Sequence, residues 1–200
     1  MNLIIGNLDD ARIEMAERKG LGHPDTICDA IAEQISVELC RYYLDSCGAI
    51  LHHNVDKALL VGGQSQPAYG GGKILKPLSL IIAGRATHQV GDKLIPVEEI
   101  AIETAKSWLA HIRPGSAELV ELFQRFGAGE TPLANDTSFG AGFYPLSELE
   151  QTIIRIETLL NSPAAKHRLP YIGEDIKVMG VRDNDTLHYT IAVAMVDRYI

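Results

Sequence analysis

Apolar positions Ile27, Ala30, Ile31, Ile35, Leu39 and Tyr42 recur at helical spacing, which predicts a long helix from Pro24 or Asp25 to about Ser46. Pro24 suits the first turn of that helix, and Gly48 is placed to end it. Before it, Ala11, Ile13 and Met15 alternate with Arg12 and Glu14, the period of a short strand over 11–16. Residues 50–61 read as a strand running into Gly62-Gly63, and Leu78 to Ala83 as a second, more apolar one after a glycine turn at 70–72. Val97 to His111 reads as a helix, with Pro96 before it and Glu98 and Glu99 in a first turn whose dipole favours them. A shorter helix is expected from a Ser116 cap to a stop before Gly127. Residues 127–145 carry Gly, Pro, Asn and Asp without a period and read as a long loop, the kind that is often functional. Ser147 and Glu150 form an S-x-x-E capping box for a helix to about Asn161. The chain then closes with a hairpin: Asp175 to Arg182, a turn at 183–185, and Leu187 to Val196. Interspersed helices and antiparallel hairpins predict an α+β fold of mixed and antiparallel sheets, with helices on one face. Ala194 to Ile200 stays apolar and strand-like, so the chain reads as one that stops while a sheet is still being built.

Composition narrows the function. A net charge of -8 argues against a nucleic-acid partner, because phosphate backbones are gripped by concentrated Lys and Arg. No apolar run approaches the ~18 residues of a membrane span, and Met1 to Asp10 lacks the pattern of a signal peptide. Cys28, Cys40 and Cys47 contain no CxxC pair, which fits reduced thiols in a cytoplasmic protein better than a disulfide or zinc framework.

The sharpest chemical signal is Glu17-Arg18-Lys19-Gly20-Leu21-Gly22-His23-Pro24-Asp25-Thr26, at the start of the long helix. Free backbone N–H groups and a partial positive charge make a helix N-terminus a natural phosphate site. There Asp25 could serve Mg²⁺, which bridges phosphates and takes one or two carboxylates, and His23 could donate to a phosphate or leaving oxygen. On bare chemistry a plainer alternative stays open, in which Asp25 caps the helix, His23 packs and the cations are solvated. Ala134-Asn135-Asp136-Thr137-Ser138 lies in the long loop, where short polar groups suit an ammonium group or a nucleotide; an Asx-turn is the plain alternative. On the Gly173–Lys177 strand, Asp175 and Lys177 share a face, as a binding pair or as a surface ion pair. Gly70-Gly71-Gly72-Lys73 lacks the spacing of a phosphate-binding loop and reads as a hairpin turn.

Taken in order, ERKGLGHPDTICDAIAE, ILHHNVDKALLVGGQ, the GGGK turn, AGRAT, ANDTSFGAG and GEDIKVMG resemble the archaeal-type S-adenosylmethionine synthetases over essentially the whole chain. The resemblance implies a pseudo-threefold α+β arrangement, only part of it present. Residues 1–145 would form the N-terminal and first synthetase-like region, and 146–200 the start of the next, interleaved with it. His23 corresponds to the histidine at the ATP phosphates and Asp25 to a Mg²⁺ ligand. Glu17 matches a carboxylate lining the same site, which makes Asp25 and Glu17 the expected metal ligands. The stretch Ala134, Asn135, Asp136, Thr137 and Ser138 matches a nucleotide-contacting loop, in which Asp136 meets the amino group of methionine. Asp175 and Lys177 match a pair that holds ATP, and His23, Asp25 and Lys177 are the expected catalytic groups. Two departures stand out. Thr26 replaces the lysine of the bacterial branch, and that branch's methionine-binding glutamate finds no match in the 50–56 strand.

The implied reaction is attack of the methionine sulfur on C5′ of ATP, with the triphosphate leaving and then being hydrolysed. A thioether carries no proton, so alignment and charge stabilisation dominate rather than a general base. The resemblance further implies Mg²⁺, assistance by K⁺ in many members, and a cytoplasmic homodimer or larger homo-oligomer with shared sites. Family members continue beyond Ile200 with more phosphate-binding cations, so residues 1–200 alone are expected to be inactive. The alternative is a non-catalytic nucleotide-binding half-length relative, or a partner subunit of the full-length enzyme.

Overall fold

The computed structural model describes residues 12–112, 118, 120–128 and 144–199. Helix α1 (Pro24–Cys47) runs the full predicted length and ends where Gly48 adopts the left-handed conformation, its N–H returning to the Leu44 carbonyl. Its buried face, Ile31, Ile35, Leu39 and Tyr43, packs on a three-stranded sheet ordered β2 (His53–Val61), β5 (Leu78–Ala86), β8 (Val120–Ala128). Helix α2 (Val97–Ile112) joins the same core through Val97, Ala101, Ala105 and Leu109, so both helices and the Leu80–Ile82–Ala86 face of β5 share one apolar cluster. Between β2 and β5 lies the hairpin β3 (Gln64–Gln66) and β4 (Lys73–Lys76); between β5 and α2 lies the small pair β6 (Gln89–Val90) and β7 (Lys93–Leu94).

A second sheet is antiparallel and draws on both ends of the chain, in the order β1 (Ile13–Lys19), β9 (Ile172–Asp183), β10 (Thr186–Met195). Helix α3 (Glu148–Leu160) covers β1 and β9 through Leu149 and Ile153. It opens with the expected capping box, Ser147 Oγ accepting from Glu150 N–H and the Glu150 carboxylate accepting from Ser147 N–H. The short helix α4 (Pro163–Arg168), capped by Ser162, leads into β9. The fold is α+β, with one mixed and one antiparallel three-stranded sheet and two small antiparallel pairs among the described residues.

The structure corrects the sequence reading in three places. The helix expected between Ser116 and Gly127 is strand β8; Ser116 itself lies outside the described residues. Val120, Leu122, Gln124 and Phe126 turn inward while Glu121, Phe123 and Arg125 turn outward, a period of two. β8 runs parallel to β5, Leu80 opposite Leu122, with α2 as the crossover that parallel neighbours require. The strand expected over 50–61 begins at His53. At the other end, β10 stops at Met195 and Asp197–Tyr199 forms a 3-10 turn rather than more strand.

Candidate phosphate and metal site

Strand β1 continues past its alternating stretch to Lys19, which lies directly opposite Lys177 on β9. Glu17 and Lys19 are two residues apart and share a face, and cross-strand pairing places Lys177 on it too. The Glu17 carboxylate receives Lys177 Nζ at 2.7 Å through Oε2 and lies 3.6 Å from Lys19 Nζ through Oε1. Lys19 Nζ also reaches Asp25 Oδ2 at 2.5 Å. Two carboxylates and two ammonium groups from β1, β9 and α1 thus form one connected chain of charges. Arg18, between them in sequence, faces away toward α3.

The turn from β1 into α1 is laid against β9. Gly20 N–H donates to the Ile176 carbonyl at 2.7 Å, Gly22 N–H to the Glu174 carbonyl at 3.2 Å, and His23 N–H to the Gly20 carbonyl at 3.0 Å. A Cβ on Gly22 would sit 2.5 Å from the Glu174 carbonyl carbon and 2.7 Å from Asp175 N, so this approach excludes every other residue. Helix α1 then starts with His23 in the capping position: its Nδ1 accepts from Asp25 N–H at 3.2 Å. In the neutral ring, accepting at Nδ1 puts the proton on Nε2, which makes His23 a donor at its free nitrogen. The cap is therefore His23 and not Asp25, whose side chain is about three-fifths exposed in the first turn.

Charge pairing sets the ionisation of the cluster. Asp25 is held below the usual carboxylate range, chiefly by the hydrogen bond from Lys19. Glu17 is lowered as well, the Lys177 hydrogen bond being the largest cause. Lys19 is raised, first by Asp25. All three are charged at neutral pH.

Glu17, His23, Asp25 and Lys177 are thus brought together. Asp175 sits two residues from Lys177 on the same face of β9, but Lys177 pairs with Glu17 instead, so the surface ion pair open from the sequence does not form. Ala134, Asn135, Asp136, Thr137 and Ser138 lie outside the described residues. Gly70–Gly72 forms the turn of the β3–β4 hairpin, and its amides are already taken: Gly72 N–H donates to Asp197 Oδ2 at 2.7 Å and Gly70 N–H to the Asp197 carbonyl at 3.0 Å. Among the described residues, no group of three or more His, Cys, Asp or Glu side chains could hold a metal ion. No helix among them is long and apolar enough to cross a membrane. Sequence reasoning passed over Lys19 as the bridge between the two carboxylates. Its position two residues after Glu17 was the available signal, provided β1 runs that far.

The α+β scaffold thus gathers charged side chains around a glycine turn and a helix start. Residues 2–200 match the S-adenosylmethionine synthetase (AdoMet synthetase) family, and the chain belongs to that family. It is 52% identical over 204 residues to the probable S-adenosylmethionine synthase of Aquifex aeolicus, covering 94% of this chain and 51% of that protein. The S-adenosylmethionine synthase of Methanothermobacter marburgensis is 45% identical, covering 96% of this chain and 52% of its own. That of Methanocaldococcus jannaschii is 43% identical over the whole of this chain and 55% of its own. The chain spans about half the length of the curated relatives it matches.

Proposed function

We propose that this chain contributes the triphosphate and metal end of a methionine adenosyltransferase site, which makes S-adenosylmethionine from ATP and L-methionine. The observation that carries the reading is the Asp25–Lys19–Glu17–Lys177 chain of charges at the start of α1, beside a histidine whose Nε2 is left to donate. Two carboxylates sharing one lysine suit Mg²⁺, which takes one or two protein carboxylates and completes its shell with phosphate oxygens and water. Asp25, the more exposed and held by a single ammonium, is the principal ligand, with Glu17 beside it. When bound, Mg²⁺ neutralises phosphate charge.

The chain's own groups do the rest. A triphosphate oxygen competes for Lys19 and Lys177, each tethered to a carboxylate and so already aimed. His23 donates through Nε2 to a phosphate or bridging oxygen. The dipole of α1 adds partial positive charge at its start, although Pro24 has no N–H and that of Asp25 is taken by His23. These donors are fixed before charge develops on the leaving triphosphate, which is where preorganisation counts most. The sulfur of methionine needs no base, so no proton acceptor is assigned. Asp175 borders the site on β9, and the 134–138 loop, with Asp136 for the methionine ammonium, enters through the resemblance, as do K⁺ and the homodimer.

Pairing of β1 with β9 supports interleaved regions on either side of residue 145; the pseudo-threefold arrangement enters through the resemblance alone. Three free cysteines support a reducing, cytoplasmic setting. The test is to incubate the full-length protein with ATP, methionine and Mg²⁺ and look for S-adenosylmethionine by mass spectrometry. Multiple turnovers support the enzyme. Mg²⁺-dependent nucleotide binding without product favours a binding subunit, and neither result would stand against both.

A further inference from the structure

Glu157 is a carboxylate on α3 that is only 4% exposed and has no part in the site as described. It follows Leu149 and Ile153 at helical spacing, on the face that α3 turns to β1 and β9. Its Oε1 accepts from Asn161 Nδ2 at 2.7 Å, and its Oε2 lies 3.4 Å from Arg18 Nε. Burying a carboxylate is costly unless it is paired and hydrogen-bonded, so this arrangement calls for a reason beyond apolar packing.

What the group touches supplies the reason. A Cβ on Gly20 would fall 2.8 Å from Glu157 Oε1 and 2.8 Å from Asn161 Nδ2, so the pair lies directly beneath the first residue of the site's turn. Asn161 Nδ2 is also 3.4 Å from the Glu174 carbonyl, the acceptor that Gly22 N–H uses. Flipping the Asn161 amide would set its oxygen against those acceptors, so the donor orientation is dictated. Asn161 Oδ1 is left buried without a partner among the described residues. Arg18 stands between Glu17 and Lys19, with its side chain on the opposite side of β1, so its tether fixes the strand that aims both of them.

We propose that Glu157 is a positioning residue for the phosphate and metal site. Through Arg18 and Asn161 it clamps the Lys19–Gly22 turn to β9, and so sets the spacing of Lys19, His23 and Asp25 relative to Lys177. For catalysis this rests on the function proposed above; for local order it does not.

The experiment uses the full-length protein and two readouts. Glu157→Gln keeps size and an acceptor for Asn161 but removes the charge facing Arg18. Hydrogen exchange of the Gly20 and Gly22 amides should quicken about tenfold while the Ile35 amide in the main core is unchanged. In the activity assay kcat should fall about 10- to 100-fold, as for a sub-ångström misplacement of reacting groups. KM for methionine should stay within about twofold, half-saturation by Mg²⁺ should move to higher concentration, and Glu157→Asp should recover part of the loss. Unchanged exchange at Gly20 and Gly22 in Glu157→Gln overturns the proposal whatever the protein catalyses. Uniform loss of kcat and of affinity for every ligand, together with faster exchange throughout, overturns it in favour of a plain folding role. A wild-type protein that makes no S-adenosylmethionine defeats the functional reading and leaves the exchange result to decide this one.

Discussion

The two three-stranded sheets of this molecule are built on opposite terms. The β2–β5–β8 sheet and its helices α1 and α2 enclose twelve buried apolar residues in one cluster, among the described residues, with no ionised group inside. The β1–β9–β10 sheet and α3 bury Leu149, Ile153, Ile176 and Val178, a smaller apolar set among the described residues, next to a sequestered carboxylate, Glu157. Glycines there bring backbones within reach of one another, at Gly22 against Glu174 and Asp175. Apolar volume stabilises the first region; the second gives up some of it to hold charges at set positions. Helix α1 joins the two, its middle in the large core and its first turn in the charge cluster. The difference teaches that stability and chemistry are separable here, and mutations should separate them.

The largest separation is expected at the start of α1. Asp25→Asn removes a charge without removing the cap, which belongs to His23. Turnover in the full-length protein should fall about 10²–10³-fold, the usual cost of one preorganised electrostatic contact. The melting temperature should change little, because Asp25 is exposed. An active Asn variant with unchanged Mg²⁺ dependence would remove Asp25 from the site.

The converse variant is Ile35→Ala. Ile35 is fully buried in the main core. Truncation should cost about 2–5 kcal/mol in a denaturant titration. Nucleotide affinity of the folded fraction should be unchanged; a parallel loss of affinity would mean the two regions are coupled.

The smallest effect concerns pH. The carboxyls of Glu17 and Asp25 are held below their ordinary range, so their pairing stabilises the fold fully above roughly pH 4 and is lost as pH falls through the lowered values. Lys19, raised, contributes below its ordinary value and loses that contribution only in strong alkali. Melting temperature should therefore be flat in this respect from pH 6 to 8 and decline in acid. The acid decline should be slightly shallower in Glu17→Gln, because exposed pairs contribute little. A steep change near neutrality in the wild type, absent from Glu17→Gln, would contradict the assignment.

Helix α1 was legible because its signals are local: Pro24 in the first turn, an apolar stripe, and Gly48 at the end. The capping box at Ser147 was legible for the same reason. Strand β8 was not. Leu122 and Phe126 also fit a helical spacing, and its partner β5 is reached only across α2. At the site, the residue types in Glu17–Asp25 raised phosphate binding as an expectation, with a capped helix and solvated cations as the open alternative. The Glu17–Lys177 pair, however, depends on the β1–β9 register, which joins opposite ends of the chain. Glu157 left a trace as an acidic residue on an apolar helical stripe, readable only once the face of α3 toward β1 is known.

The most direct test of the charge cluster is calorimetric titration of the full-length protein with a non-hydrolysable ATP analogue, with and without Mg²⁺. Binding should depend on Mg²⁺ and weaken about tenfold or more in Lys177→Ala, the order of one charge-assisted hydrogen bond, with methionine affinity little changed. Lys73→Ala, beside a glycine turn whose amides are occupied by Asp197, should bind like the wild type. Equal affinity in Lys177→Ala and the wild type would contradict the placement of the phosphates between β1, β9 and the start of α1.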